Sequence, residues 1–369
     1  MRTFAIVLYI FFVCFVFGNF VPLFYFPFFT FSLSFFSPKN YTMKVHYALL
    51  LLNLLFALLL TTRPVGAASN HNIDTGDLPL PVVIWHGMGD TCCDNNTMGA
   101  VAQTIKDELP GVFVHSVRLG SSEGADRNAG FFGNLNSQVD SVCSDLTKIP
   151  QLQGRGINMM GFSQGGLFLR ALIERCPNIS ARALVTFGSP HSGVARVPEC
   201  ASEGDVLCNW MRQLAARGVY SWYVRDHVIQ AQYFKDPRRL DQYLQHNIFL
   251  PDINGEIAEH RDKAYGERIR ALEKMVLVRF SEDNMIYPAA SSWFGFVDER
   301  GNETSLHESQ MYAEDWLGLR ELDESNRLSF VLLPGKHLSI GTDNLRKIIS
   351  EHFGTQVPES KPPVFLVQN

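Results

Sequence analysis

The chain is poor in charge and carries no concentration of it. Charged residues make up 19% of 369, with 37 acidic against 32 basic, a net of −5. It has no basic run and no Lys/Arg stripe along a helical face, which argues against nucleic acid as a partner. It contains no internal repeat, which argues against stacked-repeat architectures. What it has is apolar material, 46% of residues, enough for a sizeable core. The length allows one large domain or two.

Apolar residues crowd the amino terminus. Thr3 to Phe36 is nearly uncharged and rich in Phe. A second apolar run follows Met43. There Met43-Lys44-Val45-His46 reads as a basic n-region, Ala48 to Leu60 as an h-region, and Val65-Gly66-Ala67-Ala68 as a cleavage site. Residues 43–68 thus form a complete secretory signal, and residues 1–42 are expected to be an upstream extension. The alternative is a retained membrane anchor, since the first run is long enough to span a bilayer, although Pro22 and Pro27 interrupt it as a helix.

A secretory route makes disulfides permissible. Beyond Cys14 the cysteines are Cys92, Cys93, Cys143, Cys176, Cys200 and Cys208. Cys200 and Cys208 could close a short local loop. Cys92 and Cys93 are neighbours about 3.8 Å apart at Cα, below the usual disulfide range, so generic geometry would pair them elsewhere. Three sequons, at Asn95, Asn178 and Asn302, are glycosylation candidates.

Short buried strands alternate with amphipathic helices. Val82-Val83-Ile84-Trp85, Val112-Phe113-Val114, Ile157-Asn158-Met159-Met160, Ala183 to Phe187, Met275 to Phe280 and Leu328 to Leu333 read as strands. Helices are expected over Met98–Glu108, Gln138–Ile149, the stretch after Ser163, and Thr342–Phe353 capped by Thr342 or Asp343. Gly120 to Gly133 reads as a glycine-rich loop. The alternation predicts an α/β fold with a mostly parallel sheet covered on both faces. It breaks at about 194–272, a helical insertion expected over the catalytic edge. The domain then spans 78–355, with a loose tail over 356–369.

Gly161-Phe162-Ser163-Gln164-Gly165-Gly166 has the form G-x-S-x-G between a strand and a helix. Such a turn strains a serine into a nucleophile's position, and glycine neighbours permit it. A serine hydroxyl needs a base, and the base an orienting acid. In α/β-hydrolases these follow in the order Ser, acid, His, each just past a strand. Asp283 follows the strand ending at Phe280, with Glu282 as a competing acid. His337 follows the strand ending at Leu333, while His86 and His191 fit the base's place poorly. An oxyanion hole needs two backbone N–H groups, expected from Gln164 and from Met88 within His86-Gly87-Met88-Gly89. No metal or cofactor is required by this chemistry.

The set Val83-Ile84-Trp85-His86-Gly87-Met88-Gly89-Asp90, Cys92-Cys93, Gly161 to Gly166, Asp252-Ile253-Asn254 and Trp293-Phe294-Gly295-Phe296 resembles the palmitoyl-protein thioesterase family of lysosomal α/β-hydrolases. The likeness runs from about Leu78 to Ile349. It implies hydrolysis of the thioester joining a long fatty acyl chain to cysteine in S-acylated proteins or peptides. It matches Ser163, Asp283 and His337 to the family triad, and implies the pairings Cys92–Cys93, Cys143–Cys176 and Cys200–Cys208. It implies an acyl groove between sheet and insertion, near Trp210, Tyr220, Trp222 and Ile286. It also implies a lysosomal or vacuolar address, whereas the residues themselves indicate only the secretory pathway, with an extracellular destination open. Two departures stand out. Tyr287 occupies a place where members often carry a second acid, and Gly188-Ser189-Pro190-His191 resembles a lipase turn. The rival readings are a secreted lipase or carboxylesterase acting on oxygen esters, and a non-catalytic hydrolase-like binding protein. No obligatory protein partner is expected.

Overall fold

A computed structural model describes residues 78–196 and 218–354. The extension, the signal, Cys200, Cys208, Trp210 and the tail lie outside the described residues.

The elements among the described residues begin with β1 (Val82–Trp85), α1 (Met98–Glu108), β2 (Val114–Ser116), α2 (Glu123–Ala129), α3 (Leu135–Leu146), β3 (Ile157–Phe162) and α4 (Gln164–Arg175). They continue with β4 (Ala181–Phe187), α5 (Trp222–His227), α6 (Leu240–His246), α7 (Leu250–Ile253), α8 (Lys263–Arg270) and β5 (Lys274–Phe280). The rest are β6 (Phe296–Val297), β7 (Glu303–Thr304), α9 (Gln310–Glu314), α10 (Leu319–Glu324), β8 (Leu328–Leu333) and α11 (Thr342–Phe353).

Six strands form one sheet in the order β2-β1-β3-β4-β5-β8, every neighbouring pair parallel. Successive side chains on a strand point to opposite faces. Val83, Trp85, Met159, Leu184, Met275 and Leu277 therefore join one core with α3, α4 and the insertion. Val82, Ile84, Met160, Val185, Val276 and Val278 join a second core with α1 and α11. Burial on both faces explains why these strands read as unbroken apolar runs.

The helix α4 is enclosed almost completely, with the sheet on one side and α8 packed on it. The stretch after β4 is helical where described, as its lack of strand pattern predicts: α5 to α8 and a 3-10 turn over Ile229–Tyr233.

Four local expectations are corrected. Gly120–Gly133 contains α2, whose cap Ser122 accepts a bond from the Ala125 N–H. The helix expected from Gln138 begins at Leu135, because the Asn134 side chain caps it. The second strand lies two residues later than its apolar run, since Val114 to Ser116 are the residues in register with β1. Neither Thr342 nor Asp343 caps α11. Gly341 precedes it at φ 70° with no side-chain cap bond. The β6–β7 ribbon, α9 and α10, between β5 and β8, form a second excursion that the strand pattern did not anticipate.

Candidate active site

Ser163 stands between β3 and α4 at φ 53°, ψ −127°, a strained backbone for a residue with a Cβ. Its N–H is held by the Phe187 carbonyl at 2.7 Å. The turn closes only because its neighbours are glycines. A Cβ on Gly161 would strike the backbone of Gly165 and Gly166, and one on Gly165 would strike the carbonyls of Trp85 and His86. The N-terminus of α4 then faces the same space as the hydroxyl.

Two loops at the carboxyl edge of the sheet bring partners to Ser163. After β8, His337 sets its Nε2 3.0 Å from Ser163 Oγ. After β5, Asp283 sets Oδ2 2.7 Å from His337 Nδ1. The Asp283 carboxylate is fully buried, and its other oxygen accepts the Met285 and Ile286 N–H groups, each at 3.0 Å. With Nδ1 donating to Asp283, Nε2 is free to accept the hydroxyl proton. Glu282 is exposed, and it is Asp283 whose carboxylate lies within bonding distance of the imidazole.

The two rival histidines do not reach this group. His191 is buried against Phe294, with Nε2 3.0 Å from Thr186 Oγ1. Burial, with Arg170 nearby, holds it well below the ordinary histidine range. His86 lies 3.3 Å from the buried Asp126. Burial pulls His86 down, but Asp126 and the Gly87 carbonyl outweigh it and the net is upward. Asp126 is pushed up by burial, yet His86 and the N–H groups of Cys92 and Leu119 carry it below the carboxylate range. This pair braces the Gly87–Met88 loop, which lines the space before Ser163.

Cys92 and Cys93 are joined across adjacent residues, and Cys143 joins Cys176, tying α3 to the end of α4. Asn95, Asn178 and Asn302 are all exposed. Of the groove candidates, Tyr220 and Ile286 are buried, and Trp222 is exposed. None of the three lines the 440 Å³ cavity that meets Ser163.

Three roles were not anticipated from the sequence, those of Gly188, the Gln164 side chain and Arg170. Gly188, at φ 56°, leaves room for the imidazole: a Cβ there would lie 2.8 Å from His337 Cε1. The Gln164 side chain donates to the Gly130 carbonyl at 3.0 Å and accepts from the Tyr233 hydroxyl at 3.0 Å. It thereby latches the insertion to the Ser163 turn, so its importance is not confined to its backbone. Arg170 bonds Glu174 at 2.7 Å, Asn254 Oδ1 at 2.7 Å and the Ile253 carbonyl at 3.0 Å, all buried. This accounts for Asp252-Ile253-Asn254 as a clamp on α4. Only the polar residues within an otherwise apolar helix could have signalled it.

The parallel sheet, the strained serine turn and the histidine arriving from the last strand define an α/β-hydrolase. A family model described as "Palmitoyl protein thioesterase" matches residues 81–337, and the chain belongs to that family. Palmitoyl-protein thioesterase 1 of Caenorhabditis elegans is 40% identical over 301 residues, 81% of this chain and 99% of the relative. Palmitoyl-protein thioesterase 3 of Dictyostelium discoideum is 34% identical over 252 residues, 68% of this chain and 82% of that protein. The solved RedJ thioesterase of Streptomyces coelicolor aligns at TM-score 0.36 and 15% identity, covering 78% of this chain and 95% of that one.

Proposed function

We propose that this chain hydrolyses the thioester between a long-chain fatty acyl group and cysteine in S-acylated proteins or peptides. The observation that carries the reading is the relay Asp283–His337–Ser163, with bonds of 2.7 and 3.0 Å, in a chain of this family. His337, oriented by Asp283, takes the Ser163 proton as Ser163 attacks the thioester carbonyl. The Gln164 and Met88 N–H groups hold the tetrahedral oxyanion. The cysteine thiolate leaves readily because its pKa of about 8.5 is far below that of an alcohol. Water, activated by the same imidazole, then frees the fatty acid from Ser163.

The acyl chain is assigned to the insertion's side of Ser163, near Tyr220, Trp222 and Ile286. The secretory signal at 43–68, together with relatives named as lysosomal thioesterases in Drosophila melanogaster and Rattus norvegicus, supports a lysosomal or vacuolar address. The test of substrate class is a matched pair, palmitoyl thioester and palmitoyl oxygen ester. Higher kcat/KM on the thioester is expected, and a clear preference for the oxygen ester would move the chain to the lipases.

A further inference from the structure

A cavity of 440 Å³ opens between α1 and α11 and ends on Ser163. Met98 and Val101 of α1, Met285, Leu338, Ile340 and Leu345 give it an apolar wall. His337 lines it together with Ser163, and none of the described residues of 189–272 does. Among the described residues it is therefore separate from the insertion's side, where we assign the acyl chain.

The chemistry fixes what must lie toward the imidazole. When Ser163 Oγ bonds to the acyl carbon and the C–S bond breaks, the electron pair leaves with sulfur. The proton that His337 took from the hydroxyl is returned to that sulfur. The sulfur, and the chain attached to it, must thus sit on the His337 side of Ser163. Leu338 and Ile340, directly after His337, make that side greasy.

We infer that this cavity is the subsite for the leaving peptide, and that it takes a bulky apolar side chain next to the acylated cysteine. The inference rests on the hydrolase reading of Ser163 and adds a sequence preference to it.

The experiment compares S-palmitoyl peptides identical except for Leu or Asp beside the cysteine, with S-palmitoyl N-acetylcysteamine as a thioester that has no peptide. The Leu peptide should exceed the Asp peptide about tenfold in kcat/KM. Val101→Trp, which fills the cavity, should bring that ratio toward one. Equal wild-type rates on the two peptides would overturn the subsite, whether or not the variant folds. So would a Val101→Trp enzyme that loses its preference for long over short acyl chains while keeping its peptide ratio, since the cavity would then hold the acyl chain. No hydrolysis of any palmitoyl thioester by wild type would instead sink the hydrolase reading itself.

Discussion

Gly188 is the residue on which the imidazole's position turns. Its missing side chain leaves the space that His337 Cε1 and Nδ1 occupy, at 2.8 and 3.0 Å from where a Cβ would stand. Gly188→Ala should push the ring off Ser163, and a misplacement of about 1 Å costs on the order of 10² in kcat. Thermal melting run beside the kinetics separates this from unfolding: a folded variant with normal kcat would mean that the ring has slack. The meeting of Ser163, Asp283 and His337 was legible from one sequence. Ser163 announces itself by its glycines, and Asp283 and His337 by following strands in the right order. Gly188 was not legible, because a glycine that makes room for a residue 149 positions later leaves no local pattern. Cys92–Cys93 was legible only by family resemblance, since spacing alone argued against it.

Among the elements, α4 does two jobs. Its N-terminus follows the strained serine directly, and its last two turns carry Arg170 and Glu174, a buried pair bonded to the Asn254 segment of the insertion. The helix was legible, but its burial on all sides was not. The apolar residues after Ser163 recur at helical spacing, but nothing in that spacing shows that Arg170 among them is fully buried. Arg170→Ala should cost about 3–5 kcal/mol, because it strands a buried carboxyl and the polar groups of Asn254 and Ile253. Denaturant unfolding measures it, and a loss below 1 kcal/mol would show the clamp to be idle. The excursion from Pro288 to Arg327 was missed for a related reason. Its strands are two residues each, too short for alternation to register.

For the molecule as a whole, buried titrating groups set the pH range of stability. Burial pushes the Glu174 carboxyl up to about 7, against the opposing pull of Arg170. A raised folded value means that the stabilisation is complete below the unfolded value of 4.5 and is lost as pH rises through about 7. His86, also raised, loses its contribution in the same direction above 6.5. Asp126, lowered, works the other way, and its contribution fades only as pH falls below 3.8. The chain should therefore melt at higher temperature near pH 5 than near pH 8. Glu174→Gln should flatten that slope by on the order of 3 kcal/mol in unfolding free energy. A slope unchanged in the variant would remove Glu174 as its cause. The parallel sheet and its cover on both faces were anticipated, because parallel strands advertise themselves as apolar runs, but the order of the strands was not. The insertion was anticipated as helical, but its latch through Gln164 and Tyr233 depends on contacts between distant residues that no local pattern encodes.

The central claim is that the Ser163 hydroxyl, activated by His337, carries the acyl group. Turnover of a long-chain acyl thioester by wild type and Ser163→Ala tests it most directly. Loss on the order of 10⁶ in kcat is predicted; turnover near the wild-type rate in the alanine variant would contradict it.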